Sequence, residues 1–342
     1  MLVNLYATHR NPPPLEFPHQ LNSRRDRSDE ALAEHLRGFA GYIFQKGGRK
    51  MTAHLYHLLQ HVERVQHHLS LWVNEDDDLE GFCEWAKQAN AIVFYQDGAV
   101  RDDYGLRLLD PRDGSRDPDA VIPFLPDAYE RKARSLEELA RMGVVSLPSL
   151  PPTVSEHEVL LRTPDEVARR ALALLVVALR AESIDRGDPW PVPEMRKRFP
   201  EGFAALSGRE KLFLVNDAPD RQAVIDGTWR YEALALLLWA LGLVDELTPP
   251  VGACDPRVLA EAATAVPGDA LVANARLRAV SVILDAADLH YRLHWAVRQA
   301  EQIDEREPPG GLTSGVVAER RYALNWLVRH QDAEWDRVQT PT

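Results

Sequence analysis

The sequence predicts an α+β protein in which a small α/β domain precedes a larger all-α helical-bundle domain. Short β-compatible runs alternate with helical patterns in the first part of the chain, whereas only helical patterns follow Tyr129. The length of 342 residues also exceeds a typical domain of about 100–200 residues. We therefore expect the α/β domain over residues 1–126 and the all-α domain over residues 127–342.

In the α/β domain, apolar runs bounded by turn residues predict strands, and apolar residues at helical spacing predict helices. Ser28 is expected to cap a helix that ends near Gly38. The acidic run 75–78 is expected to cap another helix, because negative charge is favourable near the first amides. Asp97-Gly98 is a hairpin turn signal that leads from the strand at 91–95 into residues from Val100 onward. The predicted strands are 2–8, 69–73 and 91–95, and the predicted helices are 29–38, 52–65 and 79–88.

In the all-α domain, the helix starts are the clearest signals. Two capping boxes, each with a Ser or Thr cap and a Glu three residues later, begin at Thr163 and Ser207. A stretch that ends at Gly242 or at the prolines 249–250 is apolar nearly all round, which is typical of a helix at the centre of a bundle. The predicted helices are 131–142, 164–182, 208–215, 227–242, 256–265, 277–301 and 315–330.

Composition and charge exclude several classes of protein. The net charge is −12, and the short basic runs 23–27 and 196–198 have acidic neighbours, so we expect solvated surface and no nucleic-acid partner. The longest apolar run, 233–244, is shorter than the roughly 20 residues that cross a bilayer. Two distant cysteines and an N-terminus unlike a signal peptide indicate a reducing, cytoplasmic location. No motif specifies a cofactor.

Charged residues stand in the most apolar helices of the all-α domain. Because a buried charge is costly unless it is paired, we expect Arg230, Glu232, Asp288, Arg292 and Glu319 to find one another, with Asp288 and Arg292 as an i,i+4 pair. Such a cluster either locks helices together or lines a pocket with an arginine fork and a general base. The full candidate cluster is Trp229, Arg230, Glu232, Asp285, Asp288, Arg292, Glu319 and Arg320.

Histidines offer a weaker, metal-binding interpretation in two places. His290 and His294 have the spacing that places two ligands on adjacent helical turns, but Arg298 one turn further on disfavours a cation. In the first domain, His54, His57 and His61 follow one helix edge, with His67 and His68 nearby. We expect that edge to be a half-exposed polar rim, because no carboxylate or cysteine has matching spacing.

Four separated motifs stand in one order in the second part of the chain: LRTPDEVARRALALLVVA, TWRYEALALLLWALGLVDEL, ILDAADLHYRLHWAVRQA and GVVAERRYALNWL, followed at the end by EWDRV. With them the chain resembles the bacterial family catalogued as domain of unknown function 4272, over about residues 129–338. The resemblance implies a shared helical domain and brings no activity, cofactor or catalytic residue.

These observations favour a binding or protein-interaction function, with a protein partner or a second copy of the chain left open. The alternative is a small-molecule hydrolase or transferase that uses the charged cluster, with or without a metal. A third interpretation, the binding of a toxin or phage component, ranks below both.

Overall fold

A computed structural model describes residues 1–74 and 79–341. The chain divides into two compact units, the first formed by residues 1–129 and 154–158 and the second by residues 130–153 and 159–342. The expected cap at 75–78 lies outside the described residues.

The first unit is built on a six-stranded antiparallel sheet with the strand order β2-β3-β1-β4-β5-β6. Alternate residues of the central strand serve two cores: Leu5 faces Phe82, whereas Tyr6 faces Leu36. Helices α1 and α2 therefore cover one face of the sheet and α3 covers the other. The elements are β1 (Leu2–Ala7), β2 (Gln20–Asp26), α1 (Glu30–Lys46), α2 (Ala53–Arg64), β3 (His67–Trp72), α3 (Leu79–Gln88), β4 (Ala91–Tyr95), β5 (Val100–Arg101) and β6 (Arg107–Leu109).

Sequence and structure differ at three elements of this unit, one of which is the three-residue strand β6, which was not predicted. Strand β2 was not predicted, because it is a polar edge strand whose exposed side chains give no hydrophobic period. Helix α1 is capped by Asp29 instead of Ser28, and it continues through Gly38 to Lys46. Gly38 does not have the positive φ at which a glycine ends a helix.

The second unit is helical, and its described residues contain no strand, which confirms the α+β fold class. Its centre is the pair of α5 and α9, which are buried on nearly all sides over residues 167–178 and 231–240. The helices are α4 (Pro126–Arg141, which begins in the first unit), α5 (Pro164–Asp185), α6 (Val192–Arg198), α7 (Pro200–Ala204), α8 (Gly208–Val215), α9 (Arg221–Ala240), α10 (Pro256–Thr264), α11 (Gly268–Ala273), α12 (Val280–Arg298) and α13 (Ser314–Leu327).

Both predicted capping boxes are present, at Thr163 and at Ser207. Helix α9 begins six residues before the predicted start, because Asp220 caps it, and Gly242 with a φ of 71° follows its end. Helix α13 ends at Leu327, three residues earlier than predicted. The short helices α6, α7 and α11 have too few residues for a periodic signal and were not predicted.

Over residues 1–74 and 79–341, no helix is long and apolar enough to cross a membrane.

Candidate functional site

The charged residues of α9, α12 and α13 form separate ion pairs instead of one cluster. Helix α13 packs against both α9 and α12, which brings the three helices together. The pairs are Glu232 with Arg320, Asp288 with Arg292, and Arg230 with Glu319.

The Glu232–Arg320 pair is closed within the protein. Arg320 donates from Nε and Nη2 to Glu232 Oε2 at 3.1 and 3.0 Å, and both side chains are at most 2 % exposed. Arg320 also donates to the carbonyl oxygen of Thr248 at 2.5 Å, and Glu232 Oε1 accepts the backbone N–H of Cys254 at 2.6 Å. The pair therefore connects the segment between α9 and α10 to α9, through Glu232, and to α13, through Arg320.

The predicted i,i+4 pair of Asp288 and Arg292 is confirmed, and it is completely buried. Arg292 donates from Nε and Nη2 to the two carboxylate oxygens at 2.8 and 3.0 Å. Its Nη2 also donates to the carbonyl oxygen of Pro151 at 3.1 Å. This pair fastens the loop before α5 to α12, and Arg292 Nη1 is buried without a partner among the described residues.

The Arg230–Glu319 pair differs because it reaches solvent. Arg230 Nη1 donates to both oxygens of Glu319 at 2.9 Å, and the two side chains are 26 % and 18 % exposed. Burial raises the pKa of Glu319 to about 7; Arg230 opposes this rise, and the carboxylates of Asp226 and Glu232 add to it. The Arg230 guanidinium stands over the ring of Tyr322 at 5.8 Å. This pair thus places a carboxyl group that titrates near neutrality beside an accessible guanidinium.

Two members of the candidate cluster take other partners. Asp285 is 45 % exposed and pairs with Arg134 at 2.7 Å and Arg131 at 3.4 Å, on α4. Asp285 therefore does not join the buried pairs of α12, in which Asp288 is completely buried. Trp229 packs on Gly315, where an added Cβ would lie 2.7 Å from the indole ring.

The histidines act as buried packing groups. Burial and the charge of nearby arginines lower the pKa of His290 to about 3 and of His294 to about 4, so both rings are neutral. Among the described residues there is no group of three or more His, Cys, Asp or Glu placed to hold a metal ion.

The edge of α2 is only in part the rim expected from the sequence. His54 and His57 are half-buried, and His54 Nε2 lies 2.8 Å from the carbonyl oxygen of Leu108. His61 is fully buried, and its Nε2 lies 3.3 Å from the carbonyl oxygen of Tyr6, so for this residue the expectation of half-exposure is wrong.

Sequence reasoning missed a further buried ion pair and two surface clefts. Arg170 on α5 donates to Glu210, which is also the capping-box glutamate of α8, at 2.5 Å. The capping box identified Glu210, but nothing in the local pattern identified its partner 40 residues away. The clefts have volumes of about 300 and 480 Å³, and no member of the candidate cluster lines either.

The fold and these contacts define an α+β protein whose helical unit contains buried ion pairs. The chain belongs to the family described as Domain of unknown function (DUF4272), which it matches over residues 131–338, more than half of its length. Neither a curated protein nor a solved structure was found to be similar to the chain.

Proposed function

We propose that this protein acts in the cytoplasm by binding another macromolecule, either a protein partner or a second copy of itself, and that its helical charges are clamps. The observation that carries the proposal is the closure of the Glu232–Arg320 pair, whose contacts all lie within the protein. A guanidinium and a carboxylate engaged in this way offer no free group to a substrate. Two free, distant cysteines support the reducing location.

The contacts of the clamps support the structural role further. The two buried pairs of the candidate cluster each also bond a backbone group of a loop, at Thr248 and Cys254 in one case and at Pro151 in the other. Ion pairs that hold helices and loops in register are an established use of buried charge, and they need no ligand. The outer surface is then the part of the molecule left for recognition.

A second candidate function, small-molecule hydrolysis or group transfer, is favoured by one observation. Glu319 has its pKa raised to about 7 and faces the partly exposed Arg230, which is the combination expected of a general base beside an anion-binding fork. Structural ion pairs also shift pKa values, so we rank this function below the binding function that the closed pairs support.

The experiment that separates the two functions compares the wild-type protein with Glu319→Gln, and with Asp304→Asn as a control at an exposed pair. Each protein is incubated with a metabolite mixture, followed by mass spectrometry, and each is cross-linked in cell extract to record stoichiometric partners. If the protein acts by binding, we expect no turnover that depends on Glu319, and we expect all three proteins to cross-link the same partners to the same extent. Turnover that disappears only in folded Glu319→Gln would instead establish the enzyme.

A further inference from the structure

The first unit contains a polar cluster that includes none of the charged residues of α9, α12 and α13. Tyr6, His68 and Arg25 lie side by side on neighbouring strands β1, β3 and β2, as the strand register shows. His35 of α1 covers them, with its ring 4.1 Å from that of His68. We call these four residues the imidazole cluster.

Hydrogen bonds fix the orientation of this cluster. Arg25 Nη1 lies 3.2 Å from His68 Nδ1, and because a guanidinium can only donate, this nitrogen accepts. His68 Nε2 therefore carries the proton and donates to Asn4 Oδ1 at 3.1 Å. The hydroxyl of Tyr6 lies 3.1 Å from His35 Nε2. Burial lowers the pKa of both histidines, that of His68 to about 3, so the two rings are neutral at pH 7.

Arg25 has no counter-ion among the described residues. No described carboxylate lies within salt-bridge distance of it, and its hydrogen bond is to a neutral ring. Elsewhere in the same unit, Arg107 and Arg112 each pair with aspartates. A half-buried guanidinium without a carboxylate, in a chain of net charge −12, leaves a local excess of positive charge and hydrogen-bond donors.

We propose that the imidazole cluster is a binding site for an oxyanion, the phosphate or carboxylate group of a small ligand. Arg25 supplies the guanidinium fork through the nitrogens that do not contact His68, since two oxygens of a carboxylate or phosphate group match this geometry. His35 is half-buried, and when its Nε2 accepts from Tyr6 its Nδ1–H is a second donor. The bound negative charge favours protonated imidazole, so binding and the protonation of His35 are coupled.

The test is a titration of the full chain with inorganic phosphate and, separately, with acetate at pH 7.5, followed by imidazole ¹H–¹⁵N NMR. The variants are Arg25→Gln and the matched control Arg24→Gln, whose residue lies on the same strand and pairs with Leu69 on the opposite face of the sheet. We expect saturable shifts of His35 and His68 in the wild-type and control proteins. Loss of one charge-assisted contact should weaken binding in Arg25→Gln by about tenfold or more.

The two anions identify the ligand class, because a phosphate site responds to phosphate alone and a general oxyanion site responds to both. Equal binding by Arg25→Gln and the wild type, or no saturable shift of either ring in the wild type, would overturn the proposal. If Arg25→Gln does not fold, the wild-type spectrum decides, with His290 as an internal reference: shifts confined to His35 and His68 support the site, and equal shifts of all three rings refute it.

Discussion

Replacing Glu232 by glutamine tests the buried clamp between α9 and α13. The substitution leaves Arg320 charged and fully buried, with its bond to Thr248 as the remaining charge-assisted contact. Arg320 and the Cys254 N–H donate to different oxygens of Glu232, and glutamine replaces one of these oxygens by an NH2 group that can only donate, so one buried donor loses its partner. Breaking a buried pair in this way should lower the free energy of unfolding by about 3–5 kcal/mol.

The assay is urea unfolding at pH 7.5, with hydrogen exchange of peptides from α9 as a readout specific to the second unit. Arg306→Gln is the control, because it breaks an ion pair of similar length whose arginine is 59 % exposed. Exposed pairs contribute about 0–1 kcal/mol, so the control should remain near the wild-type stability. If Glu232→Gln were no less stable than Arg306→Gln, the reasoning from burial would be refuted.

Two further predictions concern glycine packing and the pH dependence of stability. Gly315→Ala should lower the free energy of unfolding by about 1–3 kcal/mol, because the new Cβ overlaps the Trp229 indole. Gly38→Ala, whose new Cβ meets open space in α1, should raise it by about 0.4–1 kcal/mol. Thermal unfolding of both variants measures the difference, and equal effects would contradict the packing argument. The raised pKa of Glu319 means that the folded state binds its proton more tightly than the unfolded state, so stability conferred by this group is present below pH 4.5 and lost as the pH rises to about 7. Relative to Glu319→Gln, the wild type should therefore lose on the order of 3 kcal/mol across this window, and parallel stability curves for the two proteins would count against the shifted pKa.

Local signals predicted the parts of the fold that local chemistry determines. The capping boxes at Thr163 and Ser207 were readable because cap and glutamate lie within one turn. The apolar character of α9 was readable because nearly every side chain from Tyr231 to Ala240 is buried. Strand β2 was not predicted because its polar side chains show no hydrophobic period. Backbone pairing with β3 places it in the sheet.

The sequence identified the charged residues of the candidate site, but it identified only one of the ion pairs that they form. Asp288 and Arg292 were paired correctly because both lie on one helix, four residues apart. Glu232 and Arg320 lie 88 residues apart, and which of two adjacent buried arginines on α13 meets Glu232 depends on how the helices pack. The raised pKa of Glu319 depends on burial in the same way, so it too could not be read from the sequence.

The central claim, that the buried charges are clamps, is tested most directly by replacing a whole pair with apolar residues. In Glu232→Leu/Arg320→Met no charge is left unpaired, and the side chains fill a similar volume. The account predicts that this double variant regains a free energy of unfolding within about 1 kcal/mol of the wild type, or exceeds it, although Glu232→Gln alone is strongly destabilised. A double variant as unstable as the sum of its single changes would contradict the account.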